Sequence, residues 1–181
     1  YVTGLLFALP LLDGDSEIRM LSKLESKPYV DLTIACLRHF GIAVQETEQG
    51  YAVAGGQQYH ACDLTVEGDY SQAAFFCVAN ALGSDITLTN LNPESVQGDK
   101  KIVEIVREMC YNREQGLPAG FTVDAADIPD LVPILAVLAT FGTAPSSITG
   151  AHRLAIKESD RLASTADLLN RLGGKVTATP D

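Results

Sequence analysis

The stretch Leu131-Val132-Pro133-Ile134-Leu135-Ala136-Val137-Leu138-Ala139-Thr140-Phe141-Gly142, followed by Ser147-Ile148-Thr149, decides the fold. It reads as an apolar helix, a glycine that ends it, and a short strand with β-branched residues. The same design stands twice upstream. Leu5 to Leu12 and Gly14 precede Glu17-Ile18-Arg19, and Ala73 to Leu82 and Gly83 precede Ile86-Thr87-Leu88-Thr89. A more amphipathic second helix is expected after each strand: Tyr29 to Phe40, Asp99 to Tyr111, and Lys157 to Leu172. A further strand follows each of these, at Ala43-Val44, Phe121-Thr122-Val123 and Lys175-Val176-Thr177. The period is roughly 60–70 residues, and strands alternating with helices imply helices packed on sheet.

The repeat puts polar groups in register at helix starts. Before the second helices stand Ser26-Lys27-Pro28-Tyr29, Gln97-Gly98-Asp99-Lys100 and Lys157-Glu158-Ser159-Asp160-Arg161. Before the first helices stand Asp69-Tyr70-Ser71-Gln72 and Asp127-Ile128-Pro129-Asp130. The Lys157 segment stands out because two cations, four residues apart, sit where the helix dipole favours anions. With exposed backbone N–H groups they would form an anion pocket, with Glu158 beside them as a proton carrier. A solvated, salt-bridged helix start is the plainer alternative. Ser159 or a neighbour can cap this helix, and Gly173 suits its left-handed end. Structural alternatives hold elsewhere too: Ser26 as an N-cap, Tyr29 as a packing residue, Asp127 and Asp130 as caps, Gly68-Asp69-Tyr70-Ser71 as a turn and cap.

Composition narrows the class. The chain has 181 residues, is 46% hydrophobic and 20% charged, and so can build a real core. A net charge of −10 argues against nucleic acid and against an anionic membrane surface. Leu131 to Phe141, the longest apolar stretch, is too short to span a bilayer and holds Pro133. Without a basic leader at Tyr1-Val2-Thr3, a cytoplasmic location is expected, and Tyr1 suggests a piece of a longer protein. Cys36, Cys62, Cys77 and Cys110 fit no zinc spacing and are read as buried reduced thiols. His39, His60 and His152 are scattered, so no metal is expected.

These motifs together resemble the 5-enolpyruvylshikimate-3-phosphate synthase family. The resemblance is carried by Ser26-Lys27-Pro28-Tyr29-Val30-Asp31, Glu67-Gly68-Asp69-Tyr70-Ser71, Gln97-Gly98-Asp99, Ile128-Pro129-Asp130 and Arg153 through Arg161. It implies an α+β fold of repeated βαβαββ units, the α/β-prism of enolpyruvyl transferases, with helices packed on mixed sheets. Residues 1–66 would be the end of one domain and 67–181 most of the other, crossing near 67–69. It implies transfer of the enolpyruvyl group of phosphoenolpyruvate to the 5-hydroxyl of shikimate 3-phosphate, with loss of phosphate and no cofactor. The whole protein would be a monomer, and this piece alone would be inactive. By the same resemblance Ser26, Tyr29 and Lys157 bind shikimate 3-phosphate, and Arg153 is a further substrate-binding residue. Asp130 binds its hydroxyls and moves a proton, Glu158 is the other acid–base group, and Arg161 grips phosphoenolpyruvate. The chain departs from the family pattern at Ala155, where an arginine is usual. Two other readings stay open: a relative of the UDP-N-acetylglucosamine enolpyruvyl transferase, and a non-catalytic anion-binding or assembly module.

Overall fold

The computed structural model describes residues 1–180. The chain divides into two compact units, Tyr1–Val66 and a second that begins at Glu67.

The first unit runs α1 (Val2–Ala8), a 3-10 turn (Leu9–Leu11), β1 (Ser16–Arg19), α2 (Lys27–His39), β2 (Gln45–Thr47) and β3 (Gly50–Val53). That order is a βαβαββ unit without its leading strand. The three strands form an antiparallel sheet in the order β1-β3-β2. Ile18 faces Tyr51 across it, and both are buried against Leu6, Leu37 and Ile42. Gly50 has a φ of 147° and lies so close to the Ile18 carbonyl that an added Cβ would collide with it. Ala43-Val44, expected as a strand, is not one. The hairpin comes one step later, because Gln57 closes on the Ala43 peptide with Nε2 and Oε1, at 3.0 and 2.7 Å.

The second unit runs α3 (Tyr70–Ala81), a 3-10 turn (Gly98–Lys101), α4 (Ile102–Glu114), β4 (Thr122–Asp124), a 3-10 turn (Pro129–Leu131) and α5 (Val132–Thr140). It continues with β5 (Ser147–Thr149), a 3-10 turn (His152–Ile156) and α6 (Arg161–Arg171). β4 and β5 pair in parallel, Val123 against Ile148, with α5 as the crossover. Leu131, Leu135, Leu138 and Leu154 are fully buried with Ile102 and Val78 beneath this pair. Truncating one of these leucines to alanine costs about 2–5 kcal/mol.

Four helices end by one device. Ile42 N–H bonds Leu37 C=O, Ser84 N–H bonds Ala79 C=O, Leu117 N–H bonds Asn112 C=O, and Gly174 N–H bonds Leu169 C=O, each around a left-handed glycine, at Gly41, Gly83, Gly116 and Gly173. Gly142, also read as such a stop, is not left-handed; there a Cβ would meet the Ala119 carbonyl at 2.6 Å. The expected strands at Ile86–Thr89 and Lys175–Thr177 do not form. The Asn80 side chain instead holds both polar groups of the Ile86 peptide, and Asn170 does the same for Val176, all at 2.8 Å. A side-chain amide thus stands where a sheet neighbour would. The cysteines are free, but they are not buried as expected: Cys62 is exposed and the other three are half-buried. Among the described residues no helix is long and apolar enough to cross a membrane.

Candidate active site

A glycine, a buried alanine and a buried leucine place the polar segment before α6. Gly150, with φ 69°, leaves β5 by a turn in which any Cβ would strike the Asp124 carboxylate. Ala151 and Leu154 then sink into the core and fix the 3-10 turn His152–Ile156. Ile156 through Asp160 are exposed in consequence. The helix expected from Lys157 begins only at Arg161, because Asp160 is its N-cap and accepts from the Ala163 N–H at 2.9 Å. Lys157 is extended, with ψ −165°, so it does not share a helical face with Arg161.

The anion pocket also looks different from the one expected. Arg161 is already engaged by carboxylates. It donates Nε to Glu158 Oε1 at 2.8 Å, Nη2 to Glu158 Oε2 at 3.2 Å, and Nη1 to Asp130 Oδ1 at 3.0 Å. Asp130 comes from the 3-10 turn before α5, held between buried Ile128 and Leu131. The N-cap positions of that turn and of α5 are Ile128 and Leu131, not Asp127 or Asp130. The hydrogen bonds from Arg161 hold the Glu158 carboxyl below the ordinary glutamate value, with Lys157 adding to the effect. The same bonds raise Arg161 further. The structure thus joins Asp130, Glu158 and Arg161 in one cluster, with Lys157 next to Glu158 in the chain. Arg153 lies exposed on the 3-10 turn. A groove of about 270 Å³ between α5, α6 and residues 175–179 contains none of these residues.

Ser26 and Tyr29 lie in the first unit. Ser26 occupies the N-cap position of α2 but makes no side-chain cap bond; its backbone is left-handed, φ 56° and ψ 36°. That conformation costs a non-glycine residue about 1–2 kcal/mol and tends to collect at functional sites. The Ser26 carbonyl accepts from the half-buried Tyr29 N–H at 3.1 Å. Lys27, which the sequence reading left aside, bonds Asp31 at 2.6 Å and Glu46 at 3.3 Å. The Asp31 bond chiefly raises its basicity, against burial. The Lys27–Asp31 spacing is visible in sequence, whereas Glu46 arrives from β2 and is not.

A second network was also missed. Burial pushes the Glu67 carboxyl up, but hydrogen bonds from Ser95, Gln97 and Asn92 outweigh it and leave it below its ordinary value. Gln97 donates to Glu67 at 2.8 Å and to the Gly68 carbonyl at 2.9 Å, and accepts from the Tyr70 N–H at 2.8 Å. The Glu67-Gly68-Asp69 and Gln97-Gly98-Asp99 motifs are therefore two sides of one joint. Asp69 itself caps α3 through the Ser71 N–H.

The fold is the repeated α/β fold of the enolpyruvyl transferases. The profile of the EPSP synthase (3-phosphoshikimate 1-carboxyvinyltransferase) family matches it over residues 1–181, and the chain belongs to that family. It is 41% identical over 187 residues to the 3-phosphoshikimate 1-carboxyvinyltransferase of Clostridium beijerinckii, covering 97% of this chain and 43% of that protein. It is 43% identical over 191 residues to the Clostridium kluyveri protein of the same name, covering 100% of this chain and 45% of that protein. The chain thus spans less than half the length of these relatives. The fold resembles the solved EPSP synthase of Acinetobacter baumannii with a TM-score of 0.74, at 24% identity, over 98% of this chain and 44% of that one.

Proposed function

We propose that the whole protein carrying this chain transfers the enolpyruvyl group of phosphoenolpyruvate to the 5-hydroxyl of shikimate 3-phosphate, releasing phosphate. The observation that supports it best is the Asp130–Arg161–Glu158 cluster, built from the residues that the family resemblance assigns to this chemistry. The hydroxyl oxygen adds to the substituted vinyl carbon of phosphoenolpyruvate while the methylene carbon gains a proton. Phosphate then leaves, the methyl group gives a proton back, and the double bond is restored. Such a sequence needs a proton acceptor for the hydroxyl, a proton donor for carbon, and cations for phosphate and carboxylate. Asp130 orients the shikimate hydroxyls and moves a proton, and Glu158 serves the carbon. Arg161 holds phosphoenolpyruvate, Lys157, Ser26 and Tyr29 hold shikimate 3-phosphate, and Arg153 contributes to substrate binding. Residues 1–66 close one domain and residues from 67 onward begin the other. The protein works as a cytoplasmic monomer. Phosphate release from the two substrates by the purified full-length protein tests the reading, and no release under saturating substrate would overturn it.

A further inference from the structure

One guanidinium serves two carboxylates at the start of α6. Arg161 has three of its donors committed, two to Glu158 and one to Asp130. The two acids are not held alike. Asp130 sits on a turn pinned by buried Ile128 and Leu131, whereas Glu158 stands on an exposed bend with its side chain 65% exposed. The charged groups acting on Glu158 are Arg161 and, at longer range, Lys157; those acting on Arg161 are Glu158 and Asp130. Asp160, the other acid here, is engaged in capping the helix. A planar fork grips a carboxylate or phosphate best through two parallel bonds. A new anion takes the Nε–Nη2 fork only by displacing Glu158, which stands on the exposed bend and is the carboxylate able to swing away.

We infer that Glu158 is a resident competitor for Arg161: an incoming anion takes the guanidinium from it, and the released carboxylate takes a proton from solvent. The inference rests on Arg161 being the phosphoenolpyruvate cation. Losing the ion pair and gaining a negative neighbour both favour the neutral acid. Binding then loads a proton onto the very group that must deliver one to carbon. No bond in the ligand changes in this step, and the buffer supplies the proton.

Calorimetric titration of the full-length protein with sulfate, a dianion with no proton to exchange near neutrality, reads the step directly. Run at about pH 5 in two buffers of different ionisation enthalpy, it should show uptake of about 0.2 proton or more per anion, lost in Glu158→Gln. The variant should also bind sulfate a few-fold more tightly at neutral pH, the worth of an exposed ion pair. Equal proton uptake by parent and variant, or no tightening, would overturn the inference. Glu158→Ala serves the same comparison if the glutamine variant does not fold. A parallel titration with phosphoenolpyruvate, in the presence of shikimate 3-phosphate, separates the two readings. No binding by the parent defeats the functional reading and this inference with it. Binding without Glu158-dependent proton uptake defeats this inference alone.

Discussion

Arg161 and Glu158 meet fork to fork across three residues of chain, Nε to Oε1 at 2.8 Å and Nη2 to Oε2 at 3.2 Å. Lysine cannot reproduce that geometry, because its ammonium is a point charge on a flexible stem. In the full-length protein, Arg161→Lys should therefore weaken phosphoenolpyruvate binding about tenfold or more while leaving shikimate 3-phosphate binding within a few-fold. Separate calorimetric titrations check this. An equal loss for both ligands would remove Arg161 from the phosphoenolpyruvate site.

Glu158→Gln keeps shape and hydrogen bonding but removes the proton. A general acid–base step contributes about 10²- to 10⁴-fold, so kcat in the full-length protein should fall by that order while KM changes by no more than a few-fold. Steady-state kinetics decide it, and a loss below about threefold would leave Glu158 as a structural partner of Arg161.

The Gln97 side chain makes three hydrogen bonds, one of them to a carboxylate. Gln97→Ala should lower the stability of the second unit by about 1–3 kcal/mol, the usual worth of bonds to a charged group. Glu67, held below its ordinary value, adds a pH signature. A depressed acid stabilises the fold above its unfolded value and stops doing so as pH falls through the folded one. Urea unfolding at neutral and acid pH should show the parent losing this part of its stability on acidification and the Gln97→Ala variant losing less.

Gly50→Ala tests the first sheet. The left-handed backbone and the Ile18 carbonyl both oppose a side chain, so a cost of about 1–3 kcal/mol or more is expected in thermal unfolding. Alanine at Gly56, where φ is 67° but no atom lies within 4 Å, should cost less.

The chain of residues 1–181 by itself should release no phosphate from the two substrates. It spans less than half the length of the Clostridium relatives. Steady turnover by the purified 181-residue chain would refute this.

Helix placement was largely legible in the sequence, because apolar runs and terminal glycines act locally. Val132–Thr140 and the strand Ser147–Thr149 fall where the pattern puts them. The strands were less so. Ile86–Thr89 and Lys175–Thr177 have strand composition, yet a strand exists only by pairing, and the Asn80 and Asn170 amides take that place. In the candidate site, motif order pointed to Asp130, Glu158 and Arg161. Their contact was not legible, since Asp130 and Arg161 are distant in sequence and meet only through the packing of α5 on α6. Where α6 begins was misread because charge periodicity continues to Lys157, while the Asp160 cap starts the helix at Arg161.

The two apolar clusters, one around Leu37 and Tyr51 and one around Leu135 and Leu154, have no residue in common. The consequence is genetic. Defects that open a cavity in one cluster should combine additively with defects in the other, as for sites without shared partners. Suppressors of a Leu37 lesion should then arise among residues 1–66, and suppressors of a Leu135 lesion from residue 67 onward, so that the chain is inherited as two separately repairable pieces.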